Sequence, residues 1–186
     1  MKQKKRTYGK ILLPVTLAAA LLSLTACGSG DSANTSTIAS ITNEASVTAS
    51  TVNGEVPYTF FDDTVFVGDS VSLKLNLYVS AQRKTDSTFM GTAQFLTPGS
   101  YGTGNELKEL GSENSVHPSY NGTEMYLADA IEAMGAKKVF IMLGMNDIAV
   151  YGNDGAVKNM ETVLAQIKEK NPDTAIYVQS MTPIVG

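Results

Sequence analysis

The 186-residue chain is 43% hydrophobic and 17% charged, which allows one domain with a sizeable core and excludes collagen-like, coiled-coil and wholly disordered classes. Five of the 14 basic residues precede residue 11, whereas all 18 acidic residues follow residue 30. Beyond residue 27 the net charge is therefore −9, from nine basic and 18 acidic residues. Such an acidic body argues against a nucleic-acid partner, which requires a basic face. A single cysteine excludes an internal disulfide.

Residues 1–27 have the features of an export signal. A basic stretch precedes a continuous apolar run over residues 11–26, which is too short for a comfortable bilayer crossing. The segment Leu24-Thr25-Ala26-Cys27 resembles the bacterial lipobox, in which the cysteine is lipidated and becomes the first residue after cleavage. We therefore expect Cys27 to anchor the protein to the outer side of the cell membrane. The alternative is an ordinary signal peptide with a stray thiol.

Residues 28–57 predict a disordered linker. They contain eleven Ser or Thr and no Leu, Met, Phe or Tyr. Such a segment buries too little apolar surface to offset the entropy lost on ordering. The folded domain is therefore expected over residues 58–186.

Four short runs rich in Val, Ile and Phe predict strands, and helical patterns separate them, as is typical of βαβ units around a parallel sheet. Helical spacing is clear over residues 127–134 and 157–167, where Asn171-Pro172 predicts a stop. Residues 73–79 alternate like a strand, but we expect a helix there because a parallel sheet needs a crossover. The predicted strands are Thr64–Val67, Ala93–Thr97, Lys138–Leu143 and Ala175–Gln179.

In an open parallel sheet, ligands bind outside the carboxyl ends of the strands. Gly68-Asp69-Ser70 places a serine where a strand ends and a helix begins, which is a good position for a nucleophile. Gly144-Met145-Asn146-Asp147 places a carboxamide at the same edge, suited to hold an oxyanion. Between them, glycines in the Pro98–Gly122 loop allow an N–H to approach a substrate oxygen. The loops at this edge are Gly68–Ser72, Pro98–Gly122, Gly144–Gly152 and Ser180–Gly186, and the first three indicate acyl transfer.

These blocks resemble the SGNH hydrolases, also called GDSL esterases or lipases. That family carries a Gly-Asp-Ser block, a downstream glycine, a Gly-x-Asn-Asp block and a late Asp-x-x-His block, and the first three are recognisable over about residues 62–183. The resemblance implies an α/β fold, a doubly wound, flavodoxin-like parallel sheet in a three-layer sandwich. It also implies that Ser70 is the nucleophile, with its own N–H, the N–H of Gly102 and the side chain of Asn146 as oxyanion donors. Gly99 is the alternative to Gly102.

The Asp-x-x-His block, which supplies the family's general base, has no counterpart in the sequence. We expect that a C-terminal strand and helix are missing with it, and that the shortened chain is nearly inactive. The only histidine, His117, lies in the long second loop and is open to three interpretations: surrogate base, substrate contact, or packing and capping. Tyr101 either lines the substrate pocket or anchors the loop. For Asp69 and Asp147, helix capping or turn fixing is the favoured role.

The sequence thus predicts an exported, lipid-anchored serine esterase of SGNH type that acts on extracellular esters, with O-acetylated glycans as one plausible class. No cofactor is expected, and a lone histidine with scattered carboxylates gives no metal-ligand spacing. Three alternatives stay open. The first is that the chain is a non-catalytic surface protein that binds a glycan or acyl group. The second is that it does not fold stably, and the third is that it is a flavodoxin-like cofactor or signalling domain.

Overall fold

Four parallel strands form the central sheet of the structure, a computed structural model that describes residues 55–181. The predicted signal segment with Cys27, most of the linker and residues 182–186 lie outside the described residues. All four predicted strands are confirmed, with every end within one residue of its expected place. The strands are β1 Thr64–Gly68, β2 Gln94–Leu96, β3 Ser119–Tyr120, β4 Thr123–Glu124, β5 Lys138–Met142 and β6 Ala175–Val178; β3 and β4 form a separate antiparallel pair.

The main sheet has the strand order β2-β1-β5-β6. Each crossover runs through helical or loop structure, as parallel pairing requires. The helices are α1 Ser70–Gln82, α2 Thr103–Glu106, α3 Leu127–Met134 and α4 Met145–Lys170, and a short 3₁₀ helix at Tyr58–Phe61 precedes β1. The architecture is therefore mixed α/β, with a parallel four-stranded sheet flanked by helices. Within residues 55–181, no helix is both long and apolar enough to cross a membrane.

The expected helix after β1 is confirmed, as is the helix over residues 127–134. The prediction of a loop over Gly144–Gly152 is wrong, because α4 begins at Met145. At Gly152 the backbone leaves helical geometry with φ 67° and ψ 179°, so two helical segments meet there. Glycine adopts this positive φ without the steric cost that a Cβ would impose. The helix ends at Lys170, directly before the predicted stop at Asn171-Pro172.

The long second loop is more ordered than its composition indicates. It contains the four-residue helix α2 and the first strand and turn of the β3–β4 hairpin, whose second strand follows the loop directly, and neither element was predicted from the sequence. Asn121 and Gly122 both have positive φ, at 50° and 79°, at the turn of this hairpin. Positive φ at both central residues is the requirement of a type I′ turn, which Asn-Gly satisfies best.

The core lies on one face of the sheet, against α3 and α4. Because alternate residues of β1 and β5 point to this face, their valines and isoleucine pack on the apolar side of the two helices. The fully buried members are Val65, Val67, Val139, Ile141, Leu127, Ile131, Val163 and Ile167.

The opposite face carries a row of aromatic rings that runs across all four strands. Phe66 pairs in register with Phe95 on one side and Phe140 on the other, and Phe140 pairs with Tyr177. Neighbouring rings are stacked with centroids 5.4, 5.2 and 4.7 Å apart. Centroid distances in this range are typical of offset-stacked aromatic pairs, which add to the stabilisation that burial alone provides.

Candidate active site

Ser70 and Asn146 lie at the point where the strand order reverses. β2 pairs with one side of β1 and β5 pairs with the other side, so the first two crossovers lead to opposite sides of β1. In the β1–β5 pair, Gly68 is opposite Met142. In open α/β sheets, ligands bind outside the carboxyl ends of the strands at such a switch point. Ser70 is the first residue of α1, Asn146 is the second residue of α4, and both are exposed. The structure therefore brings these two predicted site residues to one edge of the sheet.

Asp69 fixes the first turn of α1. Its Oδ1 accepts a hydrogen bond from the N–H of Val71 at 2.8 Å, which makes it the N-cap of the helix. The predicted capping role is confirmed. Because the cap satisfies one of the free donors of the helix start, it holds Ser70 in the first helical turn.

Asp147 caps a different helix from its own. Its two carboxylate oxygens accept hydrogen bonds from the N–H groups of Thr103 at 3.0 Å and Gly104 at 2.7 Å, at the start of α2. The side chain is buried, at 2% exposure. The predicted capping role is confirmed here too, but the helix that Asp147 caps is α2, so the contact joins α4 to the second loop. A Cβ on Gly102 would lie 2.9 Å from both carboxylate oxygens, so the close approach of Asp147 requires glycine at this position.

The Asn146 side chain is already engaged. Its Nδ2 donates a hydrogen bond to the carbonyl oxygen of Tyr101 at 2.8 Å. The Tyr101–Gly102 peptide is trans, because there are no cis peptides among the described residues. In a trans peptide the C=O and the following N–H point in opposite directions. An oxygen bonded to the Gly102 N–H would therefore lie roughly 5–7 Å from Asn146 Nδ2, too far for one oxyanion to use both. The structure does not bring these two predicted donors together.

Tyr101 and His117 lie inside the protein. Tyr101 is 0% exposed and its hydroxyl donates to Glu106 Oε2 at 2.8 Å. His117 is 4% exposed, its Nδ1 is 3.3 Å from the same oxygen, and its ring meets Tyr126 edge to face. Neither side chain is accessible to substrate, so the expected substrate contacts are not supported. Tyr101 serves instead as the loop anchor that was its alternative role.

Glu106 is the centre of this buried cluster, and the sequence analysis missed it. Besides Tyr101 and His117, its carboxylate accepts the N–H of Leu127 at 2.6 Å. Burial raises the pKa of Glu106, although these hydrogen bonds partly oppose the shift. Burial, followed by the charge of Glu106, raises the pKa of Tyr101 well above its usual value. No sequence pattern marks Glu106, because its three partners lie 5, 11 and 21 residues away, at no regular spacing.

The remaining predicted residue, Gly99, is exposed, and a Cβ built on it meets nothing within 4 Å. A cavity of about 10 Å³, with room for about one water, lies between Asp69, Val71 and Met181. A larger groove of about 600 Å³ lies elsewhere, between α2, α3 and α4, and is lined by Tyr126, Asp129 and Lys170 among others. None of the predicted catalytic residues lines this groove, so the groove is not the candidate active site despite its size.

Among residues 55–181, no three His, Cys, Asp or Glu side chains are close enough together to hold a metal ion. The site that the structure offers is thus an exposed serine at the start of α1, at the same edge of the sheet as Asn146, whose side chain fixes the turn Tyr101–Gly104 together with that of Asp147. No protein-family model matches the chain, and neither the curated proteins nor the solved structures gave a match.

Proposed function

We propose that the protein is an ester hydrolase of SGNH type, with the doubly wound, flavodoxin-like sheet of that family. The Ser70 hydroxyl attacks the ester carbonyl and gives its proton to water or added imidazole, and the N–H groups of Ser70 and Gly102 hold the oxyanion that develops. The ester bond then breaks, the alcohol leaves with a proton, and water hydrolyses the acyl-serine to release the acid and restore Ser70. The single observation that carries the proposal is the exposed Ser70 at the start of α1, at the switch point between β1 and β5. A lipid anchor at Cys27 directs the activity to extracellular esters, and O-acetylated glycans are the substrate class that fits an outer-surface location.

The proposal does not include a base from His117. This residue is the only histidine of the sequence, and its buried ring contacts Glu106 and Tyr126. A serine without a base is a weak nucleophile, whereas oxyanion stabilisation alone retains part of the catalysis. We therefore expect a slow reaction that added imidazole accelerates.

The test is Ser70-dependent hydrolysis of p-nitrophenyl acetate by the full chain, with and without imidazole. We expect the parent to be about tenfold or more faster than Ser70→Ala when imidazole is present. Ser80→Ala is the matched control, because Ser80 is exposed on the same helix and hydrogen-bonds only to Asn76. Acetate release from an O-acetylated polysaccharide then tests the substrate class. Equal rates for the parent and Ser70→Ala contradict the proposal.

A non-catalytic role in binding a glycan or acyl group at the cell surface is the second candidate. The burial of His117 favours it, because its ring contacts Glu106 and Tyr126 inside the protein and is not available to activate Ser70. This role predicts stoichiometric ligand binding that survives Ser70→Ala, together with no Ser70-dependent hydrolysis even when imidazole is added. The two measurements, made on the same preparations, separate the candidates.

A further inference from the structure

Two adjacent side chains of α4 hold three successive peptide groups of the turn Tyr101–Gly104. Asn146 donates to the carbonyl of Tyr101 at 2.8 Å, and Asp147 accepts the N–H groups of Thr103 at 3.0 Å and Gly104 at 2.7 Å. Because Asp147 is 2% exposed, water does not compete for its two hydrogen bonds.

We propose that Asn146 and Asp147 form a single clamp that sets the orientation of the Gly102 N–H, and that Asn146 is a positioning residue, not an oxyanion donor. This inference rests on the proposed function, since the orientation of this N–H matters only if an oxyanion forms beside Ser70. It changes the role that the family resemblance implies for Asn146.

The geometry of one peptide group carries the argument. Asn146 bonds to the carbonyl of the Tyr101–Gly102 peptide, and the N–H of that same peptide points the opposite way. An oxyanion on the Gly102 N–H is therefore out of reach of the Asn146 amide. The Gly102 N–H keeps its direction only while its own peptide is held by Asn146 and the next peptide by Asp147.

The experiment is a double-mutant cycle on the Ser70-dependent hydrolysis of p-nitrophenyl acetate in the presence of imidazole. The variants are Asn146→Ala, Asp147→Asn and the double variant, with Asp154→Asn as the control because Asp154 is an exposed carboxylate on the same helix. We expect each single variant to lose about tenfold in kcat with KM changed by less than about twofold. The double variant loses no more kcat than the less active of the two single variants, because both side chains act through one turn.

Amide NMR provides a readout of the clamp that does not depend on activity. Asn146→Ala shifts the nitrogen resonance of Gly102, whose peptide loses its carbonyl hydrogen bond, and Asp147→Asn shifts the amide protons of Thr103 and Gly104. Should Asn146→Ala fail to fold, Asn146→Ser, whose hydroxyl is too short to reach Tyr101, takes its place.

Losses that multiply in the double variant would show that Asn146 stabilises the oxyanion directly and would overturn this inference alone. Unchanged amide resonances in the single variants would also overturn it, because the clamp would then be absent. Equal rates for the parent and Ser70→Ala would overturn the proposed function, and this inference with it.

Discussion

The carboxylate of Glu106 accepts the backbone N–H of Leu127 at 2.6 Å and thereby caps α3 from 21 residues away. Asp147 caps α2 in the same manner, across a separation of 44 residues from Thr103. Neither Gly102 nor Tyr126, the residues at the N-cap positions of these helices, makes a side-chain cap. The region between β2 and β5 therefore depends on two buried carboxylates, Glu106 from within the region and Asp147 from α4.

Replacing Glu106 by Ala is expected to lower the free energy of unfolding by about 3 kcal/mol, because the change leaves the Leu127 N–H, the Tyr101 hydroxyl and His117 without their partner inside the protein. Urea unfolding followed by circular dichroism measures it. Glu109→Ala is the control, since Glu109 is exposed in the same segment. A loss no larger than that of the control would contradict the role of Glu106 as the centre of the cluster.

Glu106 also predicts a dependence of stability on pH. Burial raises the pKa of Glu106 above the usual 4.5, so the folded state binds the proton of this carboxyl more tightly than the unfolded chain does. A raised carboxyl pKa contributes stability that is fully present below the unfolded pKa and is lost as pH rises through the folded pKa. The free energy of unfolding of the parent relative to Glu106→Gln should therefore fall as pH increases from about 4.5. A difference between the two proteins that stays constant across this range would contradict the expectation.

Tyr101 predicts a second loss of stability, at alkaline pH. Its pKa is raised well above 10.0 in the folded protein by burial and by the charge of Glu106, whereas in the unfolded chain it ionises near the usual value. Stability should therefore fall as pH rises above 10.0, when the unfolded state alone loses the proton.

Urea midpoints compared between about pH 9 and pH 11 test this expectation. Tyr101→Phe should remove this loss of stability at alkaline pH. The variant also lacks one hydrogen bond, which lowers its free energy of unfolding by about 1 kcal/mol. Tyr151→Phe is the control, because Tyr151 is exposed, and it should behave like the parent. An equally steep alkaline loss in Tyr101→Phe would assign the effect to other groups.

The sequence predicted the elements whose signals are local. β1 and β5 contain the continuous apolar runs Val65–Val67 and Val139–Met142, and α3 has clear helical spacing, so the sheet and its order of elements could be predicted from the sequence. The hydrogen bonds of Glu106 and Asp147 were not, because their partners lie 5 to 44 residues away, at separations that follow no helix or strand periodicity. Similarly, Gly-Asp-Ser and Gly-x-Asn-Asp placed Ser70 and Asn146 at one edge of the sheet, but only the coordinates show that Asn146 turns to the Tyr101 carbonyl.

The choice between Gly102 and Gly99 as the second oxyanion donor is decided by a pair of alanine substitutions. The φ of Gly102 is −156°, which any residue can adopt, so glycine is needed there for space, since a Cβ would lie 2.9 Å from both oxygens of Asp147. Gly102→Ala should push Asp147 away, cost about 1–3 kcal/mol of stability and remove most Ser70-dependent hydrolysis. Gly99→Ala should be neutral in both respects, because a Cβ there meets nothing within 4 Å. Urea unfolding and imidazole-supported hydrolysis of p-nitrophenyl acetate measure the two effects. Loss of hydrolysis in Gly99→Ala with normal stability would reassign the donor to the exposed end of the loop.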